Sequence, residues 1–278
     1  MNILSGFVSD FWVVDAQYPW LVASYFGLLG AVLASFGGVL IDRLPHQLEW
    51  LEEPDETLSI WGPRSHCNSC QKKLSAVDLV PVLGWLVRRG KCGSCAAPIP
   101  KLYPISESLL AAAFASAYLL APGLREAAVL MLFTWCGFVI TMLDLRHHWI
   151  PAVITTPMLW LGLLCSPLEP DVMQRAIGAA AAGMIIWGAV AIVSVMSRKS
   201  MLEMWSGGDV AFLMMAGAWM GPENVIQLIF MAAVIFVVHE RVVFYRTGQR
   251  WVPFGPALSA GLLLQAAAIV SGIQVGLF

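Results

Sequence analysis

Two aspartates stand at the edges of long apolar stretches, in Leu143-Asp144-Leu145-Arg146-His147-His148-Trp149-Ile150-Pro151 and in Trp205-Ser206-Gly207-Gly208-Asp209-Val210. A carboxylate at a bilayer boundary is expensive to hold and marks a functional site by default. Two of them sharing one water cannot both ionise easily, so their titrations couple and the pair can activate that water as acid and base. Gly207 and Gly208 would let a substrate backbone approach Asp209. The plain alternative for either aspartate alone is a helix N-cap, more so for Asp209, which opens a helix.

A second group of reactive side chains lies in a polar stretch, Cys67-Asn68-Ser69-Cys70 and Cys92-Gly93-Ser94-Cys95, with 21 residues between the pairs. Each two-residue gap lets a tight turn point both sulfurs at one ion, and two such turns make a tetrahedral four-thiolate zinc site. Lys72, Lys73, Arg88, Arg89 and Lys91 would offset its negative charge. The redox reading, two disulfides or a thiol relay, fits a cytoplasmic loop less well, because thiols stay reduced there. A zinc ion would be structural, since about 60 residues with little apolar core need a staple. His66 is a bystander in this scheme, and Cys136 and Cys165 read as packing residues within apolar spans.

The elements that must position these groups are membrane helices. The chain has 278 residues, 59% hydrophobic and 12% charged, with mean hydropathy +0.75; soluble domains carry about 25% charged residues. A net charge of −2 excludes nucleic acid as a bulk partner. Apolar stretches of spanning length fall near 19–41, 104–121, 126–143, 150–167, 174–196, 207–221, 225–243 and 254–276, roughly eight spans. Residues 1–18, with Phe7, Phe11 and Trp12, read as an interfacial lead-in, and no removable signal peptide is expected. With the N-terminus outside, all of the 16 Lys and Arg except Arg125 and Arg175 fall in inner segments. By the positive-inside rule both termini are extracytoplasmic, and Asp144 and Asp209 meet at the cytoplasmic face. The acidic run Glu49, Glu52, Glu53, Asp55 and Glu56 reads as a solvated face, or as attraction for a basic substrate segment.

Further motifs then carry a family resemblance. Gly30 and Ser35-Phe36-Gly37-Gly38-Val39-Leu40-Ile41-Asp42-Arg43-Leu44-Pro45, Pro81-Val82-Leu83-Gly84-Trp85, Arg89-Gly90-Lys91-Cys92, Tyr103-Pro104-Ile105-Ser106-Glu107 and Pro253-Phe254-Gly255-Pro256 occur in this order around the aspartates and cysteines. Together they resemble the type IV prepilin leader peptidases, membrane aspartic proteases that process type IV pilins and type II secretion pseudopilins. The resemblance implies Asp144 and Asp209 as the catalytic pair. It implies a prepilin substrate with a short basic leader ending in glycine before a hydrophobic helix, cleaved at the cytoplasmic face of the bacterial inner membrane. It also implies N-methylation of the new N-terminus with S-adenosylmethionine, because the four-cysteine loop accompanies the bifunctional form. No GxGxxG after a strand marks a nucleotide pocket, and Glu107 is a candidate for either chemistry or for a structural role. The chain departs from the family pattern at Gly38, Ala152, Ser206 and Ala211.

The expected architecture is an all-α polytopic membrane protein of about eight transmembrane helices with a small cytoplasmic zinc-ribbon-like insertion. Its parts are 1–41 (N-terminal segment and first helix), 42–103 (four-cysteine loop) and 104–278 (membrane aspartic peptidase core). Two other classes compete. A proton-coupled transporter would place its acids near the bilayer midplane and show paired repeats, neither of which is read here. A membrane thiol oxidoreductase would need redox-labile cysteines and tolerate loss of both aspartates.

Overall fold

A computed structural model describes residues 17–198, 200, 206–249 and 251–273. The interfacial lead-in with Phe7, Phe11 and Trp12, the cations Lys199 and Arg250, and the end of the last span lie outside the described residues. The helices are α1 (Pro19–Gln47), α2 (Leu83–Val87), α3 (Leu102–Leu120), α4 (Leu124–His147), α5 (Ala152–Cys165), α6 (Val172–Ser197), α7 (Gly207–Thr247) and α8 (Gly255–Val270). Among the described residues there is no strand beyond isolated bridges.

Each expected apolar span coincides with a helix or part of one. α1, α4, α6 and α7 are long and apolar enough to cross a membrane, and α5 and α8 are shorter apolar helices. The sixth and seventh spans form the two halves of α7, which bends at Gly221 (φ 78°, ψ 176°) before Pro222. Glycine tolerates that φ, and proline cannot continue the preceding hydrogen-bond ladder. α1 runs to Gln47, so the start of the expected loop is helical.

The chain divides into two compact units, 1–135 and 136–278. In the first, α1 packs along α3, and Gly30 lies directly on the Leu110 carbonyl. Phe114, Ala117, Ala127 and Met131 form the buried cluster of this unit, flanked by Phe26, Leu33, Tyr118 and Trp135. The Trp135 indole N–H donates to the Leu33 carbonyl at 2.8 Å, giving the one polar atom of that ring a partner away from water.

In the second unit α7 is central, packed by α5, α6 and α8. A Cβ at Gly178 of α6 would strike the Gly217 carbonyl, and one at Gly217 would strike Gly178. Helix backbones therefore touch here, the contact that small residues permit between membrane helices. Polar side chains fix the same end. The Trp219 indole N–H donates to the Met158 carbonyl at 2.7 Å and Ser166 Oγ donates to the Trp219 carbonyl at 2.6 Å. Arg175, only 6% exposed, donates to the carbonyls of Leu163, Ser166, Glu169 and Pro170. Gly178→Val should therefore destabilise the protein by at least about 2 kcal/mol, read as a lowered thermal midpoint in detergent; an exposed control, Ile192→Val, should leave it unchanged.

Candidate active site and candidate metal centre

Asp144 lies in the last turn of α4 and is 6% exposed. Its backbone carbonyl accepts the N–H of His148 at 2.9 Å, and His148 turns the chain out of the helix with φ 49°. Pro151 then sits extended at the N-cap of α5, as its fixed φ and missing N–H favour at a helix start. Asp209 is the third residue of α7 and half-buried. Ser206 stands at the N-cap of α7 with φ −100°. Ser206, where the family motif has glycine, thus occupies a conformation open to any residue.

Two contacts bring these ends together. A Cβ at Gly208 would lie 2.8 Å from Ile150 Cβ, so the start of α7 rests on the segment leaving Asp144. The Gly255 N–H, at the start of α8, donates to Asp144 Oδ2 at 2.6 Å. A Cβ at Gly255 would meet that oxygen at 2.6 Å and Asp144 Cβ at 2.9 Å, so only glycine admits this carboxylate so closely. Two carboxylates at one helix-end junction, one of them held by a backbone donor, are the equipment of acid–base hydrolysis.

Asp209 also occupies the first turn of a helix, where a carboxylate is favoured electrostatically whatever its chemistry. The capping alternative accounts for that residue. It gives no account of Asp144, at a helix C-terminus, where the dipole disfavours negative charge.

In the first unit the four expected cysteines converge. Sγ of Cys67 lies 3.8 Å from Sγ of Cys95, and Sγ of Cys70 lies 4.0 Å from Sγ of Cys92. All four sulfurs fall within 4.8 Å of one another. Zinc–sulfur bonds of about 2.3 Å at tetrahedral angles require edges of about 3.8 Å, so the cluster fits a single ion, and the cysteines are free rather than disulfide-bonded. The two turns repeat each other. Cys67 N–H donates to the Lys72 carbonyl and Cys92 N–H to the Ala97 carbonyl, at 3.0 and 2.8 Å. Gln71 and Ala96, each following a second cysteine, both adopt φ 57°.

Backbone N–H groups of Cys95 and Ser94 pointing at the Cys92 sulfur bring its thiol down to about 6, and those of Cys70 and Ser69 lower Cys67. Lowered thiols are the ones that present thiolate to a metal at neutral pH. Arg88 lies against Gly93 and pairs with Asp78 at 2.5 Å. Hydrogen bonds from Ser75 and the Arg88 guanidinium hold the Asp78 carboxyl at about 2. Arg88 and Lys72 and Lys73 line a groove of about 210 Å³ with Cys92, as charge compensation for a thiolate centre requires.

With this geometry in view, comparison with known proteins is decisive. Residues 28–121 match the Bacterial Peptidase A24 N-terminal domain and residues 131–239 match the Type IV leader peptidase family. The chain belongs to this family. It is 32% identical over 259 residues to the type 4 prepilin-like proteins leader peptide-processing enzyme of Escherichia coli O78:H11, covering 89% of this chain and 94% of that one. It is 33% identical over 261 residues to the prepilin leader peptidase/N-methyltransferase of Aeromonas hydrophila, covering 87% and 89%. The protein of the same name from Klebsiella pneumoniae is 31% identical over 221 residues, covering 78% and 93%. No solved structure gives a significant match.

Asp144 and Asp209 fall within the peptidase match and the four cysteines within the N-terminal one. The family motifs gain local physical roles. Arg43 donates to the carbonyls of Ser59 and Pro63, at 2.9 and 2.6 Å, and so ties the loop to the end of α1. Glu107 accepts the Val82 N–H at 2.6 Å, a structural use of that carboxylate. Reading the residues missed the Gly255 donor and the triad in which buried Gln265 donates to half-buried Asn224 and Gln227, each at 2.9 Å. The signal for the triad was present: three polar amides within or beside apolar spans need partners.

Protein purified without chelator should carry one metal ion per chain by elemental analysis. Cys92→Ser should reduce this to well below half and open residues 64–100 to limited proteolysis, while Cys165→Ser should change neither.

Proposed function

We propose that this protein is a polytopic membrane aspartic endopeptidase with Asp144 and Asp209 as its catalytic pair, removing the basic leader from type IV prepilins or secretion pseudopilins. The observation that carries this reading is the junction at which the Gly255 N–H holds Asp144 while Gly208 seats the start of α7 on Ile150. The relatives named as prepilin leader peptidases supply the substrate class.

In the reaction, one carboxylate is ionised and takes a proton from a water molecule as its oxygen attacks the scissile carbonyl carbon. The other, protonated, donates to the carbonyl oxygen. The tetrahedral intermediate collapses with cleavage of the C–N bond. The proton taken from water passes to the leaving amine, a hydroxyl of the collapsing intermediate gives its proton back to the second carboxylate, and the pair returns to its starting state. Gly255 occupies Oδ2 of Asp144 and leaves Oδ1 to face the water. A backbone donor cannot rotate away, so the carboxylate is oriented before substrate arrives.

Eight membrane crossings follow if α3, α5, α8 and both halves of α7 span along with α1, α4 and α6. The distribution of Lys and Arg then puts the aspartates and the cysteine loop at the cytoplasmic face of the inner membrane, with both termini periplasmic. A prepilin with its basic leader in the cytoplasm and its apolar helix in the bilayer presents the scissile bond at that depth. Residues 42–103 act as a zinc-stapled insertion held by Cys67, Cys70, Cys92 and Cys95, and 104–278 as the peptidase core. The ion's contribution is folding of the loop. N-methylation of the new N-terminus, with S-adenosylmethionine as the donor substrate, accompanies cleavage in the reading drawn from the named relatives. The described residues contain no strand–turn–helix nucleotide cradle, and methyl transfer is assigned to none of them.

The deciding experiment is the intact mass of a prepilin after incubation with the purified protein and S-adenosylmethionine. Loss of the leader plus gain of one methyl group is expected. Asp144→Asn and Asp209→Asn should each cut the cleavage rate by at least about a thousandfold with unchanged thermal midpoints; normal cleavage by either variant sinks the pair. Gly255→Ala should slow cleavage by about a hundredfold, with substrate KM far less affected than kcat.

A further inference from the structure

Residues 77–91 of the cysteine loop present an apolar face that the fold leaves uncovered. Val77, Leu79, Val80, Leu83, Leu86 and Val87 are all exposed, from 42% at Val80 to 66% at Val87. Burying each such side chain is worth about 1.5–3 kcal/mol, so six outward-facing ones within eleven residues mark a docking surface rather than a solvated loop.

The backbone that presents them is tightly built. The 3₁₀ turn Val77–Leu79 packs on α2, and Gly84 brings α2 so close that a Cβ there would lie 2.7 Å from the Asp78 carbonyl. The Arg88–Asp78 pair closes the same turn. A preformed surface loses little conformational freedom on docking.

Two observations identify the occupant. The first is position: the Val82 N–H is bonded to Glu107, which is 7% exposed and lies on α3. Glu107 is five residues into that helix, about 8 Å along its axis, where the sequence becomes Ser-Leu-Leu-Ala-Ala-Ala-Phe-Ala. The segment is thus fastened beside the point at which the chain turns wholly apolar. The second is charge. Arg89, Lys91 and Lys101 are exposed and close in sequence to these apolar residues, while of the two acids between residues 71 and 107, Asp78 is paired with Arg88 and Glu107 is buried. An apolar face rimmed by Lys and Arg is the composition of an element lying in an anionic bilayer surface.

We propose that residues 77–91 lie in the membrane interface, with the six apolar side chains against acyl chains and Arg89, Lys91 and Lys101 among anionic headgroups. The cysteine loop is then anchored to the bilayer through its own surface as well as through the helices at its two ends. This inference needs only that the protein is a membrane protein and stands or falls apart from its peptidase activity.

The test places the photo-crosslinking residue benzoylphenylalanine at Leu86, at Val87 and, for comparison, at Asn68 in the first cysteine turn. The full-length protein is reconstituted in vesicles of phosphatidylethanolamine and phosphatidylglycerol, irradiated and weighed intact. Lipid adducts at positions 86 and 87 should exceed those at 68 by at least about tenfold. Equal labelling at all three positions, or no lipid adduct at 86 and 87 in protein of unchanged thermal midpoint, would overturn the proposal. So would crosslinks from 86 and 87 that run to protein, whether within the chain or to a second copy.

Discussion

A bilayer offers its helices a solvent as apolar as their own side chains, so burying leucine against leucine supplies little force for association. What remains is backbone contact at small residues and hydrogen bonding between polar groups. The second unit is organised by that constraint. Gly178 and Gly217 let α6 and α7 touch, and the indole of Trp219, the hydroxyl of Ser166 and the guanidinium of Arg175 consume backbone carbonyls around the same end. With α7 fixed there, its other end is free to carry Asp209 to the junction below Asp144.

The same logic governs the junction itself. Asp144 sits at a helix C-terminus, where the carbonyl ends repel negative charge. The unit offsets this with a backbone donor from the start of α8, and the absence of a side chain at Gly255 admits it. Pro253-Phe254-Gly255-Pro256 is thus a device for aiming one N–H. Arg175 gives a comparable lesson about topology. It counts as an outside cation in the charge bias, yet it is buried and committed to four carbonyls. The true asymmetry of free positive charge is therefore steeper than the count suggests.

The first unit solves a different problem, a polar loop with almost no core. Two matching cysteine turns bring four sulfurs together, Arg43 ties the loop to α1, and Glu107 ties it to α3. Gln71 and Ala96 hold left-handed backbone without being glycine, a strain of order 1 kcal/mol each that four metal–sulfur bonds would offset.

The sequence by itself determined the apolar segments, the four cysteines of the candidate metal site, the two candidate aspartates and the family. These properties are local: a span is a run of apolar residues, and a Cys-x-x-Cys turn closes within four positions. The bend in α7 was not read from the sequence, where 207–221 and 225–243 stood as two separate spans; the structure joins them in one helix bent at Gly221. Only the tertiary structure decided which backbone donor meets Asp144, which carbonyls Arg175 occupies, and that Gln265 finds Asn224 and Gln227. The contacts of Asp144 and Gln265 join residues far apart in the chain, those of Arg175 reach 5 to 12 positions back, and the existence of each depends on how closely two backbones approach. That distance is set by side chains on both partners at once, so no single stretch of sequence encodes it.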